Sequence, residues 1–493
     1  MRNVTRAAAF AAVLFLLASC ATSGRRVDMY RPLMASGNPF YAEKLSDKAK
    51  AHVAELSTFE LSNGIPVVFK RSTANKGMTL SLVIRGGSAA AKPGLEGLEA
   101  VALKAMAMGS KDLPSQELAA LLGETGSSID SVAGLDFSTY SLATLGKKLD
   151  RLVPAWIGTI VRPGFAPGDV EQVISEARLA LEKRGRDPRA VTASAVNELF
   201  FAGHPYAASP EGTKESLDAL DVSAVRAWYG EAFSANRIFI VAVGDFEPAS
   251  LRKRLEAGLG SIPDRAFALP PPPPRFAVGG GPGSLAKREF PQSNGLAYLR
   301  GDFAAPDRAD PANYMPLRIG MAMLSDLLLD VVRDGASSAP CAYITDAQAV
   351  YGSIVITEAK EAARIKSYID EAVADLAAGT AVSLDPRASE GGRQRVTIEE
   401  ALASYKTRLT TDFLQGQATN VQVANSIARA VILRADCRSW VLDDERIAAV
   451  SADQVKASLA KYLLGGKITW VMLGAADDIL SVSEVGYESV LSR

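Results

Sequence analysis

Histidine is nearly absent from this chain, with two in 493 residues, His52 and His204. Metal sites rely on imidazole, thiolate and carboxylate donors, so the shortage removes the commonest ligand of a catalytic metal. Cysteine is almost as scarce. The three present, Cys20, Cys341 and Cys437, exclude a disulfide-stapled scaffold and offer no C-x-x-C spacing. Neither a G-x-S-x-G elbow nor a P-loop occurs, so nucleophilic and phosphate-cradling chemistry lack their local signatures. Charge of one sign is missing too. With 54 basic and 55 acidic residues the net charge is −1, which gives no field to attract nucleic acid. After the first twenty residues no apolar run approaches the ~20 residues of a membrane-spanning helix.

The amino terminus has the features of a targeting segment. Arg2 and Arg6 precede the uncharged run Ala7 to Leu17, and Leu17-Ala18-Ser19-Cys20 follows. This pattern predicts a lipoprotein signal over residues 1–19, with Cys20 as the lipidation site. By resemblance to bacterial lipoproteins, Ala21 after the cysteine implies the outer membrane, giving an expected location on its periplasmic face. Residues 20–50 read as a tether, rich in Ser, Gly, Arg and Pro without periodicity. With Cys20 lipidated, Cys341 and Cys437 remain as two thiols whose pairing the sequence leaves open.

Beyond the tether the chain predicts an α+β fold. Thr58 to Phe69 reads as strand, Asn63-Gly64 turn, strand, and Met78 to Arg85 alternates as a third strand. Pro114 to Leu122 is helical, Ser127 to Leu145 holds two short strands, and Leu149–Val161 and Pro167–Gly185 are amphipathic helices. A helical stretch over 213–233 leads to the apolar strand Ile238–Val243. Five prolines, Pro270 to Pro274, then run into a glycine-rich segment that cannot join a sheet. The resulting division is 51–268, a linker at 269–285, and 286–493. A shift of 230 residues aligns Val225 with Val455, Ile238 with Ile468, Val241 with Val471 and Gly244 with Gly474. The halves are therefore read as two homologous domains, each a mainly antiparallel sheet covered by helices, facing each other across a cleft.

One segment organises the first half. In Gly97 to Ser110, Leu98, Val101, Ala102, Ala105 and Met106 recur at helical spacing and Gly109 stands past the end. Ala100, Leu103 and Lys104 fall at i, i+3 and i+4, a spacing that places three side chains on one helix face. A methyl, an isobutyl group and an ammonium offer no lone pair to a metal at neutral pH.

The ordered series of motifs resembles the pitrilysin/insulinase-type zinc peptidase family. It runs through Leu61-Ser62-Asn63-Gly64, Gly86-Gly87-Ser88, the helix ending in Gly109-Ser110 and Asp136-Phe137-Ser138-Thr139-Tyr140. Pro163-Gly164-Phe165, Gly203-His204-Pro205-Tyr206, Gly212-Thr213 and Val241 to Asp245 complete it. The resemblance extends from Ser57 to the end, more loosely in the second half. Members carry H-x-x-E-H on the matching helix, two zinc ligands and a general base, with a distal glutamate as third ligand. Here that pentapeptide is Ala100-Val101-Ala102-Leu103-Lys104, so the catalytic set is empty and no cofactor is expected. The distal position matches Glu176, or alternatively Glu182, and Lys104 is a candidate to pair with it in place of the ion. His204 reads as a turn residue rather than a ligand.

By the same resemblance Arg333 and Tyr343 match a substrate-binding arginine–tyrosine pair, although ten positions separate them and Gly335 to Pro340 replaces the usual charged turn. Several family members work as unlike pairs, one subunit with the zinc motif and one without. The implied function is a non-catalytic lipoprotein subunit that binds peptide or unfolded protein and pairs with a zinc-bearing homologue in the bacterial envelope. The alternative is a stand-alone peptide-binding or scaffold lipoprotein. The missing ligands argue against an active zinc endopeptidase.

Overall fold

The computed structural model describes residues 46–279, 283–308, 310–332, 338–385, 394–434, 439–480, 482 and 488–489. The expected signal segment, Cys20, Arg333 and Cys437 lie outside them.

The first half begins with α1 (Asp47–Ala54), then β1 (Leu56–Glu60), β2 (Pro66–Arg71), β3 (Gly77–Arg85), α2 (Leu98–Met108) and α3 (Ser115–Thr125). It continues through β4 (Ser128–Ala133), β5 (Phe137–Leu145), α4 (Leu149–Val161), α5 (Pro167–Arg184), α6 (Pro188–Phe200) and α7 (Lys214–Asp218). It closes with α8 (Val222–Ala232), β6 (Ile238–Gly244) and α9 (Pro248–Leu259). The strands form one sheet in the order β1-β2-β6-β3-β5-β4. Only β2 and β6 pair in parallel.

The second half holds β7 (Ser284–Glu289), β8 (Ala297–Ala304), α10 (Pro311–Val331), β9 (Cys341–Ile344), β10 (Tyr351–Ala359) and α11 (Ala362–Ala377). A small ribbon of β11 (Thr380–Val382) and β12 (Arg395–Thr397) precedes α12 (Ile398–Gln415), α13 (Asn420–Arg434), α14 (Asp443–Ala449) and α15 (Ala452–Leu459). The half ends with β13 (Ile468–Gly474), α16 (Ala476–Leu480) and β14 (Glu488–Ser489). Its sheet order is β14-β7-β13-β8-β10-β9. The series β7-β13-β8-β10-β9 repeats β2-β6-β3-β5-β4, including the parallel pair, now β7 with β13. Ile238 and Ile468, the residues matched by the 230-residue shift, open the corresponding strands β6 and β13. The second sheet takes up the chain at Ser284, two residues inside the segment read as linker. Ser284 already pairs with Thr469, so the glycine run ends at Gly283.

Each sheet is covered on both faces, and the second cover comes from the other half. Along β6, Ile238, Ile240 and Ala242 point into the first half's own core. Phe239, Val241 and Val243 point the opposite way, onto Ala424, Ile427, Ala428 and Val431 of α13. Reciprocally, Ala195 and Val196 of α6 pack on Ala286 and Val471 of the second sheet. This explains why β6 is buried at every position. A strand sandwiched between two layers loses the polar alternation of a half-exposed one. The exchanged helices themselves sit about 230 residues apart, so they belong to the repeat.

The periodicity assigns no element to 186–212, and α6 occupies about half of it. Its start carries the signals that identify one: Asp187 accepts from the Arg189 N–H as the cap, and Pro188 follows in the first turn.

A polar knot ties the seam between the halves. The Tyr206 hydroxyl donates to Asp136 Oδ1 at 2.6 Å, and the Gln348 N–H donates to Oδ2 at 2.9 Å. The Ala349 N–H donates to the Tyr206 oxygen at 3.0 Å. Burial pushes the Asp136 carboxyl above the usual carboxylate range. Beside it His204 accepts from the Tyr206 N–H and stacks on Phe276 with centroids 4.4 Å apart. Its other ring nitrogen meets the Pro274 carbonyl at 2.8 Å. His204 is thus a turn residue that holds the proline linker against the body.

Candidate functional site

Helix α2 is set by its first residues. Gly97 adopts φ 82°, and a Cβ there would lie 2.8 Å from the Gly212 backbone. Only glycine permits that approach, which is why Gly97 and Gly212 face each other. Ser216 donates to the Glu96 carbonyl at 2.8 Å and fastens the same junction. From there Leu98, Val101, Ala102, Ala105 and Met106 turn into the core, as the helical spacing predicts.

The pentapeptide positions diverge instead of forming one open face. Ala100 is half-buried and Lys104 is exposed. Leu103 is 0% exposed and belongs to the apolar core. The expected ion pair is not formed: among the described residues Lys104 makes no hydrogen bond or salt bridge. Glu176 is exposed and accepts from Gln172 Nε2 at 2.9 Å, while Glu182 pairs with Arg186. The reason lies in α5, which buries Val170, Val173 and Ile174 and leaves Glu176 on its solvent side.

These residues do not fit a zinc ion. Ala100 and Leu103 carry no donor, Lys104 is cationic, and Glu176 alone is a single ligand. Among the described residues no three His, Cys, Asp or Glu side chains converge as a metal site.

The residue next to the motif carries the local electrostatics. Glu99 receives Arg237 at 2.6 Å and the Ser138 hydroxyl at 2.5 Å. Arg237, 2% exposed, also donates from Nε to the Arg85 carbonyl at 2.8 Å. Its guanidinium lies over the Phe267 ring, 4.5 Å from the centroid. The pair cross-links α2, β3, β5 and the approach to the linker. Sequence reasoning missed it because its members lie 138 positions apart and neither sits in a charge pattern.

Strand β4 is the outer strand of its sheet and runs beside α2. Val132, 64% exposed, shows how open its outward face is. An outer strand keeps one row of backbone N–H and C=O groups unpaired, a template for another chain. On the second sheet Tyr343 lies on the outer strand β9, 37% exposed and directly opposite Ser353. Arg333 is outside the described residues, so its expected partnership with Tyr343 has no geometry. Cys341 is exposed on the same strand.

The sequence model of the insulinase family, peptidase family M16, matches residues 66–214, the stretch from β2 through the start of α7. A curated relative, the non-peptidase homolog YmxG of Helicobacter pylori, is 22% identical over 207 residues. That alignment takes in 42% of this chain and 48% of the relative, about half the length of each. Two solved structures share the fold. A peptidase M16 inactive domain from Pseudomonas fluorescens superposes with a TM-score of 0.72 at 18% identity, covering 85% of this chain and 98% of that one. The periplasmic protease PqqL of Escherichia coli gives a TM-score of 0.68 at 18% identity, over 88% of this chain and 46% of the protease. The chain is thus M16-like, with residues 66–214 matching the insulinase family model and Ala100 to Lys104 standing where that family carries its catalytic pentapeptide.

Proposed function

We propose that this chain binds an extended peptide or unfolded segment along β4 and serves a zinc-bearing homologue as its non-catalytic subunit. The observation that carries the reading is the juxtaposition of an open outer strand, β4, with a family helix stripped of ligands. Strand addition supplies affinity through main-chain hydrogen bonds and needs no catalytic group. The PqqL protein, matched over 46% of its length, is about twice the size of the matched region. Several members of the resembled family work as unlike pairs, one subunit with the zinc motif and one without, which supports pairing. Lipid attachment at Cys20 fixes the complex to the envelope, facing the periplasm, and Arg333 with Tyr343 contributes to holding the peptide.

The purified chain alone is expected to bind unstructured peptides without cleaving them, to carry no stoichiometric zinc, and to co-purify with a homologue that has H-x-x-E-H. Cleavage by the pair should weaken when Arg333 is replaced by alanine. One zinc per chain, or cleavage by the chain alone, would overturn the reading. If no zinc-bearing homologue associates while peptide binding persists, a stand-alone binding lipoprotein is the better description.

A further inference from the structure

A cavity of about 290 Å³ opens at the amino-terminal end of α2. Leu95, Leu98, Ala224, Ala227, Trp228 and Phe267 give it apolar walls. Its charged lining residues are already engaged, while the buried Ser88 hydroxyl in its lining has no hydrogen-bond partner among the described residues. Glu99 and Arg237 hold each other inside, and Lys92 pairs with Glu231 at 3.1 Å on the exposed rim. A charged side chain entering the cavity finds no unpaired counter-charge, whereas an apolar one exchanges water for packed walls. The size suits one large side chain, since a cavity of about 150 Å³ already holds benzene.

Position supplies the occupant. Ala133, the last residue of β4, lines the same cavity. A chain hydrogen-bonded to the open edge of β4 is therefore delivered to its mouth, and successive residues of such a chain point alternately to the two faces. We propose that this cavity is the specificity pocket for the bound peptide, taking one leucine or aromatic side chain of the strand added to β4. The assignment rests on the peptide-binding reading above and names the class of sequence selected.

The test uses fluorescence anisotropy on the full chain. The probes are labelled decapeptides of Ser and Thr that carry Leu, Phe, Ser, Asp or Lys at one central position. The Leu and Phe peptides should bind at least about tenfold more tightly than the other three, the scale on which apolar pockets discriminate. Ala227→Phe projects a ring into the cavity from the exposed side of α8 and should bring Leu and Phe down to the Ser level. Trp228→Ala enlarges the cavity and should move the preference towards a Trp peptide, which keeps the proposal testable if the first variant fails to fold. Binding by the native chain with no side-chain preference overturns the pocket and leaves strand addition standing. A preference that survives in folded Ala227→Phe also overturns it. Failure of every peptide to bind removes the peptide-binding reading and the pocket together. N-methylated versions of the Leu peptide should lose binding throughout, because strand addition needs their N–H groups.

Discussion

At the residue scale, the polar side chains that matter are those whose partners lie far away in sequence. Asp136 is the clearest case. It accepts from Tyr206 and from the Gln348 backbone, yet burial outweighs those bonds and raises its carboxyl above the ordinary value of 3.8. A group with a raised folded-state pKa contributes its full stability below the unfolded value and loses it as pH climbs through the raised one. Asp136→Asn carries no such titration. The stability of the native chain relative to this variant, from urea midpoints across pH 3.5 to about 7, should therefore decline as pH rises. A relative stability that grows with pH would mean that the hydrogen bonds, not burial, dominate at Asp136. Glu99 and Arg237 show the same dependence on distant partners, with Arg237 almost wholly buried and Glu99 13% exposed. Breaking such a pair from one side leaves a buried charge uncompensated, at a cost of about 3–5 kcal/mol. Arg237→Ala should lose that much in denaturant melts; a loss below about 1 kcal/mol would mean that Glu99 reaches water by local rearrangement.

At the scale of the element, α2 has become a packing helix. In an H-x-x-E-H helix the second of the three functional positions must carry a carboxylate; here that position is Leu103, fully enclosed among core residues. Leu103→Glu should destabilise the fold by about 3 kcal/mol or more, because a carboxylate would enter an apolar site without a partner. Ala100→His with Lys104→His should stay near native stability, since those positions are half-buried and exposed. Thermal melts of the two variants distinguish a helix that has closed over its former site from one that merely lost its ligands. If Leu103→Glu melts like the native chain, the helix retains an open site. The exchanged helices α6 and α13 show the complementary principle. Neither is strongly amphipathic, yet each has a narrow apolar stripe that finds the far face of the other half's sheet.

At the scale of the whole molecule, the duplication is coupled by exchange. Each half lends one helix to the other, and the knot of Asp136, Tyr206 and Gln348 lies on the same seam. Neither sheet keeps both faces covered if the halves part. The intact chain should therefore unfold in one calorimetric transition. Ile427→Asp places a carboxylate against Val83, Phe239 and Val241, where Ile427 is now fully buried. It should uncouple the halves and split the transition in two, with the first-half component falling furthest. A single transition that merely shifts to lower temperature would show that the linker and the remaining contacts suffice for coupling.

The sequence alone determined what depends on neighbours along the chain. Strand, turn and helix periodicity located the Asn63-Gly64 hairpin, α2, α4, α5 and β6, because side-chain alternation and capping are local. The 230-residue shift exposed the repeat, and the identities of Ala100, Leu103 and Lys104 left those positions without metal donors, all legible without coordinates. The tertiary structure decided whatever depends on which faces meet. It put Leu103 in the core, turned Glu176 to solvent away from any partnership with Lys104, joined Glu99 to Arg237, and lined a cavity beside Ala133. It also made β6 a two-sided strand, because helix α13, nearly two hundred residues later, covers its second face. Local spacing fixes the direction in which a side chain leaves its own element; only the packing of distant elements fixes what it meets there.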